Sequence, residues 1–516
     1  MFGSDGLRGK NAIINFLGST GTQIIGVICG FIVPRIIIGT YGSEMNGVMQ
    51  SIAQFLSYIT LLESGVGGVI RAALYKPLAQ KDNNKVSGIV MATEGFFRKI
   101  CLIFVIYSVA LACIFPYIVE GGGGWLSTFA MVLIISLSTI SQYYFGITYN
   151  VLLQADQKRY VYEMLGAAAV AVNALLVFAC ASLGASVHVM KLVSSLVFAI
   201  RPMFLNLYVK KKYDINRKIA PDKGALSQRW DGMGHHIAFF LHSNTDIFVL
   251  TMCAKITKAF SLAEVSVYSV YYSVVYGIEK IVNILHLSVE AAFGNMLAKG
   301  EKELFKQNFR VYELLSMMLN TFIFTATAVL LVPFVSVYTG GIDDADYIRP
   351  LFSYIIVLAE ALYCLRKPYN NVTNAAGHYR QTKKGAYLEA AINVALSIIL
   401  VVPFGITGVA AATALAMGVR TFDYVRYLYK NLLEERMTSF FKILLVNAAA
   451  FAVTFGLSRL ILPDIMDSYL MFFAYAVVIA LISGVTVMAF NFIFFPRNLK
   501  NIVSTVLRTV KNFLKR

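Results

Sequence analysis

Between residues 268 and 290 the chain sets Tyr268, Tyr272, Tyr276, Glu279, Asn283, His286 and Glu290 at intervals of 4, 4, 3, 4, 3 and 4. On a helix these residues share one face for about six turns. Lys280 stands beside that face. The six histidines show no metal-ligand spacing. The chemistry such a face performs is recognition. Its cation suits an anion, and its amides, hydroxyls and aromatic rings suit a hydroxylated ligand.

Other polar groups in apolar surroundings belong to the same inventory. Arg35 lies in Ile32-Val-Pro-Arg-Ile-Ile-Ile-Gly39, where Pro34 lacks an amide donor and bends a helix. Arg201 and Arg420 fall late in two apolar stretches, where snorkelling to the surface is cheap. Arg366 and Lys367 precede Pro368. Asp246 shares a face with His235 and His242, and Asn46, Gln50, Gln54 and Ser57 form a shorter stripe. Glu63 lies on the opposite face from that stripe and is expected to pair with a neighbouring helix. Each such group has two readings: hydrogen bonding that holds helices together, or contact with a ligand or ion inside the membrane.

The elements that must position these residues follow from composition. Of 516 residues 58% are hydrophobic and 14% charged, where a soluble protein of this length is about a quarter charged. Apolar runs of about 20 residues recur along the chain, each long enough to cross a bilayer as a helix. They are continuous and do not alternate, so helices fit them better than a barrel does. Fourteen spans are expected, among them 11–39, 45–69, 263–292, 349–373, 386–404 and 407–429, in an all-α integral membrane protein. The run after Lys10 is too long for a signal core and has no cleavage site.

Basic residues orient the spans. With the N-terminus cytoplasmic, the outer segments hold Arg35, Lys191, Lys255, Lys258, Arg349 and Arg459, and the other 39 of 45 basic residues lie inside. Both termini are then cytoplasmic, as an even number of spans requires. The net charge of +17 is mostly this bias, so nucleic acid is not an expected partner. The segment 496–516 places its apolar residues on one helical face and lysine and arginine on the other. It reads as an interfacial helix drawn to anionic membrane lipid. The six cysteines suggest no paired site and read as small packing residues.

The chain also repeats itself at an offset near 220 residues. Asn150-Val and Arg159 match Asn371-Val and Arg380, Asn173 matches Asn393, and Arg201 matches Arg420. The offset covers six spans, so both halves have the same topology, as parallel repeats do. The expected organisation is a six-helix bundle at 1–210, a basic linker at 211–235, a second six-helix bundle at 236–430, two further helices at 431–495 and the tail at 496–516.

The span count, the six-plus-six repeat and Pro34-Arg35…Gly39…Gly42…Gly47 together resemble the multidrug/oligosaccharidyl-lipid/polysaccharide (MOP) flippase superfamily. Within it the chain looks most like the Wzx-type polysaccharide transporters. The resemblance implies a bacterial cytoplasmic-membrane protein that moves an undecaprenyl-diphosphate-linked oligosaccharide from the inner to the outer leaflet by alternating access. It implies no enzyme activity and no cofactor beyond a coupling Na⁺ or H⁺, with other polysaccharide-assembly proteins as partners. A wet, cationic lumen would lower the barrier to the anionic head, with Arg35, Lys280, Glu279, Asn283, His286, Tyr272, Tyr276, Arg366, Arg201 and Arg420 as the binding residues and Asp246 and Glu290 as the ion-coupling ones.

Three rivals fit the same spans. A cation-coupled drug exporter of this superfamily often carries an acid in its first helix, and none occurs between Asn11 and Tyr41. A membrane glycosyltransferase needs a sizeable outer loop with carboxylates, and Gly340-Gly-Ile-Asp-Asp-Ala-Asp346 reads instead as a short solvated loop. A lipid II flippase is close in chemistry to the first reading and remains an alternative.

Overall fold

The computed structural model describes residues 5–63, 66–119, 123–222, 224, 233–257, 261–463, 465–496 and 499. The tail expected at 496–516 lies almost wholly outside them. The chain is an all-α membrane protein: among the described residues there is no strand. Among the described residues nine helices are long and apolar enough to span a bilayer, or ten if one bent pair is counted as a span. Each of the fourteen expected stretches coincides with a helix or a pair of helices. The chain divides into two compact units, Met1–Ser266 and Val267–Arg516.

The first unit holds α1 (Asp5–Tyr41), α2 (Ser43–Ser57), a 3-10 turn (Tyr58–Glu63), α3 (Val66–Ala79) and α4 (Asn83–Ile118). Then come α5 (Trp125–Ser141), a π-turn (Gln142–Gly146), α6 (Ile147–Ala155), α7 (Arg159–Ser182), α8 (Val187–Lys212) and α9 (Met233–Thr257). Helix α9 is tied to α2 by polar contacts: Gln54 Nε2 donates to Asn244 Oδ1 at 2.8 Å, and the Ser51 and Thr251 hydroxyls meet at 2.7 Å. The short stripe on α2 is therefore used, in part, to join helices. Gly42 turns the chain between α1 and α2 with φ 88°, a value glycine adopts at no steric cost. Gly47 gives close approach instead, because a Cβ there would overlap the Leu262 carbonyl.

The second unit holds nearly all of α10 (Ala263–Ala298), then α11 (Lys302–Tyr338), α12 (Pro350–Leu365), α13 (Lys367–Ala375), α14 (Tyr379–Leu428), α15 (Thr438–Ile461) and α16 (Tyr469–Phe494). The expected span 349–373 is broken at Arg366, between α12 and α13. Pro368 in the first turn of α13 is the physical reason, since it has no amide to donate back to α12. Helix α14 is two arms, 379–404 and 406–428, joined at Gly405 (φ 55°, ψ −136°). The break falls where the spans 386–404 and 407–429 were expected to part. The arms run back on each other, and Asn393 Nδ2 donates to the Thr413 hydroxyl at 2.8 Å.

The repeat reappears in backbone conformation. Lys81, Gln157 and Gly184 have φ of 55°, 58° and 67°. Their counterparts at the same offset, Gly300, Gly377 and Gly405, have φ of 72°, 74° and 55°. The turns before α4, α7 and α8 thus match those before α11, before α14 and between its arms. The π-turn between α5 and α6 likewise corresponds to the break at Arg366.

The arms of α14 depend on a backbone state that only glycine tolerates well. Gly405→Val is expected to cost roughly 1–3 kcal/mol and to lower the thermal midpoint of the purified protein in detergent. Gly456→Val on α15, where a Cβ meets nothing within 4 Å, should change it little. Equal midpoints for the two variants would refute the hairpin.

Candidate functional site

The stripe on α10 splits into two parts. Its N-terminal part is an aromatic ladder. Tyr268 and Tyr272 stack with ring centroids 6.0 Å apart and 20° between planes, and Tyr272 and Tyr276 stack at 5.5 Å and 16°. Spacing of four residues on a helix leans each ring over the next. The ladder ends in a cation, with Lys280 Nζ 4.5 Å from the Tyr276 ring centroid. Tyr268 is buried, whereas Tyr276 is 42% exposed and Lys280 is exposed. Among the described residues no carboxylate pairs with Lys280. Residues 263–292 are an expected span, and a charged amine within a span costs a few kcal/mol if it faces hydrocarbon, so on that expectation this face of α10 needs water or an anion.

The C-terminal part turns inward. Glu279 is buried and accepts from Lys367 Nζ at 3.0 Å, and the same ammonium reaches Asn283 Oδ1 at 3.3 Å. The Tyr312 hydroxyl lies 2.7 Å from Nδ1 of buried His286. Adjacent residues 279 and 280 therefore project differently, as their separation of about 100° requires. Glu279 answers Lys367 while Lys280 stays on the ladder. The Glu290 side chain lies outside the described ones.

Beyond Lys367 is a second charge cluster. Arg366 Nη1 donates to Glu389 Oε1 at 2.5 Å, and Arg420 Nε lies 3.7 Å from the other oxygen of Glu389. Arg420 also meets Asp423 at 2.6 Å. Arg366 and Arg420 are 6% and 3% exposed. A site that keeps these two cations for a substrate anion is not what the geometry presents, because Glu389 and Asp423 already neutralise them. The sequence reading missed this carboxylate. It sits 23 and 31 residues from its partners, and only the folding of α14 brings all three together. Glu313 was missed for the same reason. It is buried on α11 and accepts from the hydroxyls of Tyr369 at 2.7 Å and Tyr429 at 2.9 Å.

The remaining expected residues lie in the first unit. Arg35 is half-buried and folds back along its helix, so that a Cβ on Gly39 would come within 3.0 Å of Arg35 Nη1. Asp246 is buried on α9. Arg201 donates to the Tyr162 hydroxyl at 2.8 Å and to Gln142 Oε1 at 3.2 Å. Glu63 does find a neighbouring helix, through a hydrogen bond from Tyr143.

Neither a family model nor a curated protein matches the sequence. Solved structures do match the fold. The lipid II flippase MurJ in an inward closed conformation is similar over 94% of this chain and 99% of its own, with a TM-score of 0.69 and 15% identity. An inward-facing multidrug resistance MATE family transporter of the MOP superfamily matches over 82% of this chain and 98% of its own, with a TM-score of 0.60 and 13% identity. The eukaryotic MATE transporter AtDTX14 matches over 85% and 99%, with a TM-score of 0.53 and 12% identity. The chain has the MurJ/MATE-like transporter fold.

Removing one partner from a buried ion cluster leaves charge unmet and costs about 3–5 kcal/mol. Glu389→Gln is therefore expected to lower the thermal midpoint strongly. Adding Arg366→Met should recover part of the loss. A Glu389→Gln protein that melts with the wild type would show that the two guanidinium groups do not need this carboxylate.

Proposed function

We propose that this chain is a flippase of the Wzx type, moving undecaprenyl-diphosphate-linked oligosaccharide from the inner to the outer leaflet of a bacterial cytoplasmic membrane by alternating access. The observation that carries the reading is the tyrosine ladder ending in Lys280. Tyrosine faces present flat apolar area with a hydroxyl at the rim, which suits sugar rings. Lys280 offers a diphosphate a point charge that no carboxylate among the described residues takes up. The fold shared with a lipid II flippase and with multidrug transporters supports transport over catalysis. The ladder favours a lipid-linked saccharide over a cationic drug, which a lysine would repel.

On this reading Lys280 meets the substrate only while it is bound. A hydrogen bond to a charged group is worth about 1.5–3 kcal/mol, so Lys280→Gln is expected to weaken apparent affinity roughly ten- to a hundred-fold. Tyr276→Ala should impair transport more than Tyr276→Phe, which keeps the ring. Each is read as surface polysaccharide in a deletion strain carrying the variant, with protein level measured alongside. Full delivery by Lys280→Gln and Tyr276→Ala together, at normal protein level, would end this proposal.

The orientation belongs to the same proposal and rests on the basic-residue asymmetry. A cysteine introduced at Ile215 should be labelled by an impermeant reagent only from the cytoplasm, and one at Asp344 only from outside. The reverse pattern would invert the direction of transport argued here.

A further inference from the structure

The first unit holds an open cavity of about 710 Å³ that no residue of the α10 ladder lines. That volume is typical of a small-molecule site. It is lined from the 3-10 turn after α2 and from α3 through α9. Two arginines reach it from different helices, Arg71 on α3 and Arg201 on α8.

Both arginines hold only neutral partners. Arg71 Nη1 donates to Gln154 Oε1 at 2.8 Å. Arg201 donates to Tyr162 and Gln142 and lies 4.7 Å from the Tyr162 ring centroid. A guanidinium has five N–H donors, so these contacts leave most of them unused. Among the described residues neither arginine makes an ion pair. Other arginines of the unit do: Arg98 and Arg217 share Glu94, and Arg159 meets Glu163. The one carboxylate lining the cavity, Glu63, is hydrogen-bonded by Tyr143. Two cations thus face a single acid among the described residues that line the cavity.

The internal repeat shows what a purely structural arginine at this position looks like. Arg420 is the counterpart of Arg201, and Gly385, beside Arg420, is the counterpart of Gly166, beside Arg201. In the second unit Arg420 is held by Glu389 and Asp423. At the same offset of 219 residues the first unit has Val170 and Phe204. Both acids are missing where the cavity lies.

We propose that this cavity binds a phosphorylated saccharide, with Arg71 and Arg201 holding the phosphoryl group and Glu63, Asn150 and the neighbouring amides taking sugar hydroxyls. Guanidinium and phosphate match in geometry as well as charge. The ligand is either a free sugar phosphate or the headgroup of a lipid-borne one, and the test separates these sources.

The experiment uses the full chain purified in detergent and, separately, in nanodiscs. Binding of glucose 1-phosphate, inorganic pyrophosphate and glucose is measured in detergent, and binding of undecaprenyl-phosphate-glucose in nanodiscs. The expected result is binding of at least one phosphorylated probe, none of glucose, and a loss of about tenfold or more in Arg71→Gln and Arg201→Gln. Arg98→Gln, an arginine of the same unit that pairs with Glu94 and does not line the cavity, should bind as the wild type does. Binding of glucose 1-phosphate assigns a soluble ligand, and binding of the lipid probe alone assigns a headgroup. Should the glutamine variants fail to fold, Val170→Glu supplies the acid that the second repeat has and should abolish binding with both arginines in place. Failure of all phosphorylated probes to bind, or full binding in both arginine variants or in Val170→Glu, would overturn the site.

Discussion

Glu389 stands between two guanidinium groups at the point where α12 gives way to α13, and the second unit is arranged around that contact. Arg366 is the residue at the break. Arg420 comes from the far arm of α14 and returns to Glu389 only because the chain reverses at Gly405. Gly385 leaves room for it, since a Cβ there would overlap the arginine. Each charge in this cluster would be costly alone in an apolar surrounding, and together they hold a broken helix against a hairpin. Lys367, one residue past the break, extends the same logic to Glu279 on α10.

This accounts for what the sequence did and did not disclose. The spans were legible because a bilayer demands long apolar runs, and the break between 404 and 407 was legible because Pro403 and Gly405 interrupt one. The repeat was legible from a few residues at one offset, and the left-handed turns at Lys81, Gln157 and Gly184 and their glycine counterparts extend it. Pairing was not legible. Periodicity placed Tyr276, Glu279 and Asn283 on one stripe, but which part of a stripe faces a neighbouring helix depends on that neighbour. Lys367 is 88 residues from Glu279 and turned part of the stripe inward.

The two repeats have diverged in how they treat the same arginine. In one, acids from the hairpin close around it. In the other, the Gln142 amide and the Tyr162 hydroxyl orient it, and among the described residues no carboxylate pairs with it. A duplicated fold can thus keep one copy of a position for cohesion and release the other for chemistry.

The tight reversal at Gly405 also bears on how the protein is made. Two apolar arms with almost no loop between them cannot enter the membrane as independent segments, because neither has a soluble flank on the shared side. They must pass from the ribosome into lipid as one helical pair. Asn393 on the first arm donates to Thr413 on the second, so an amide donor that would resist partitioning alone is matched within the pair itself. This hairpin is therefore self-sufficient at a moment when α15 and α16 have yet to be synthesised, and its correct closure sets the side of the membrane on which those last two helices begin.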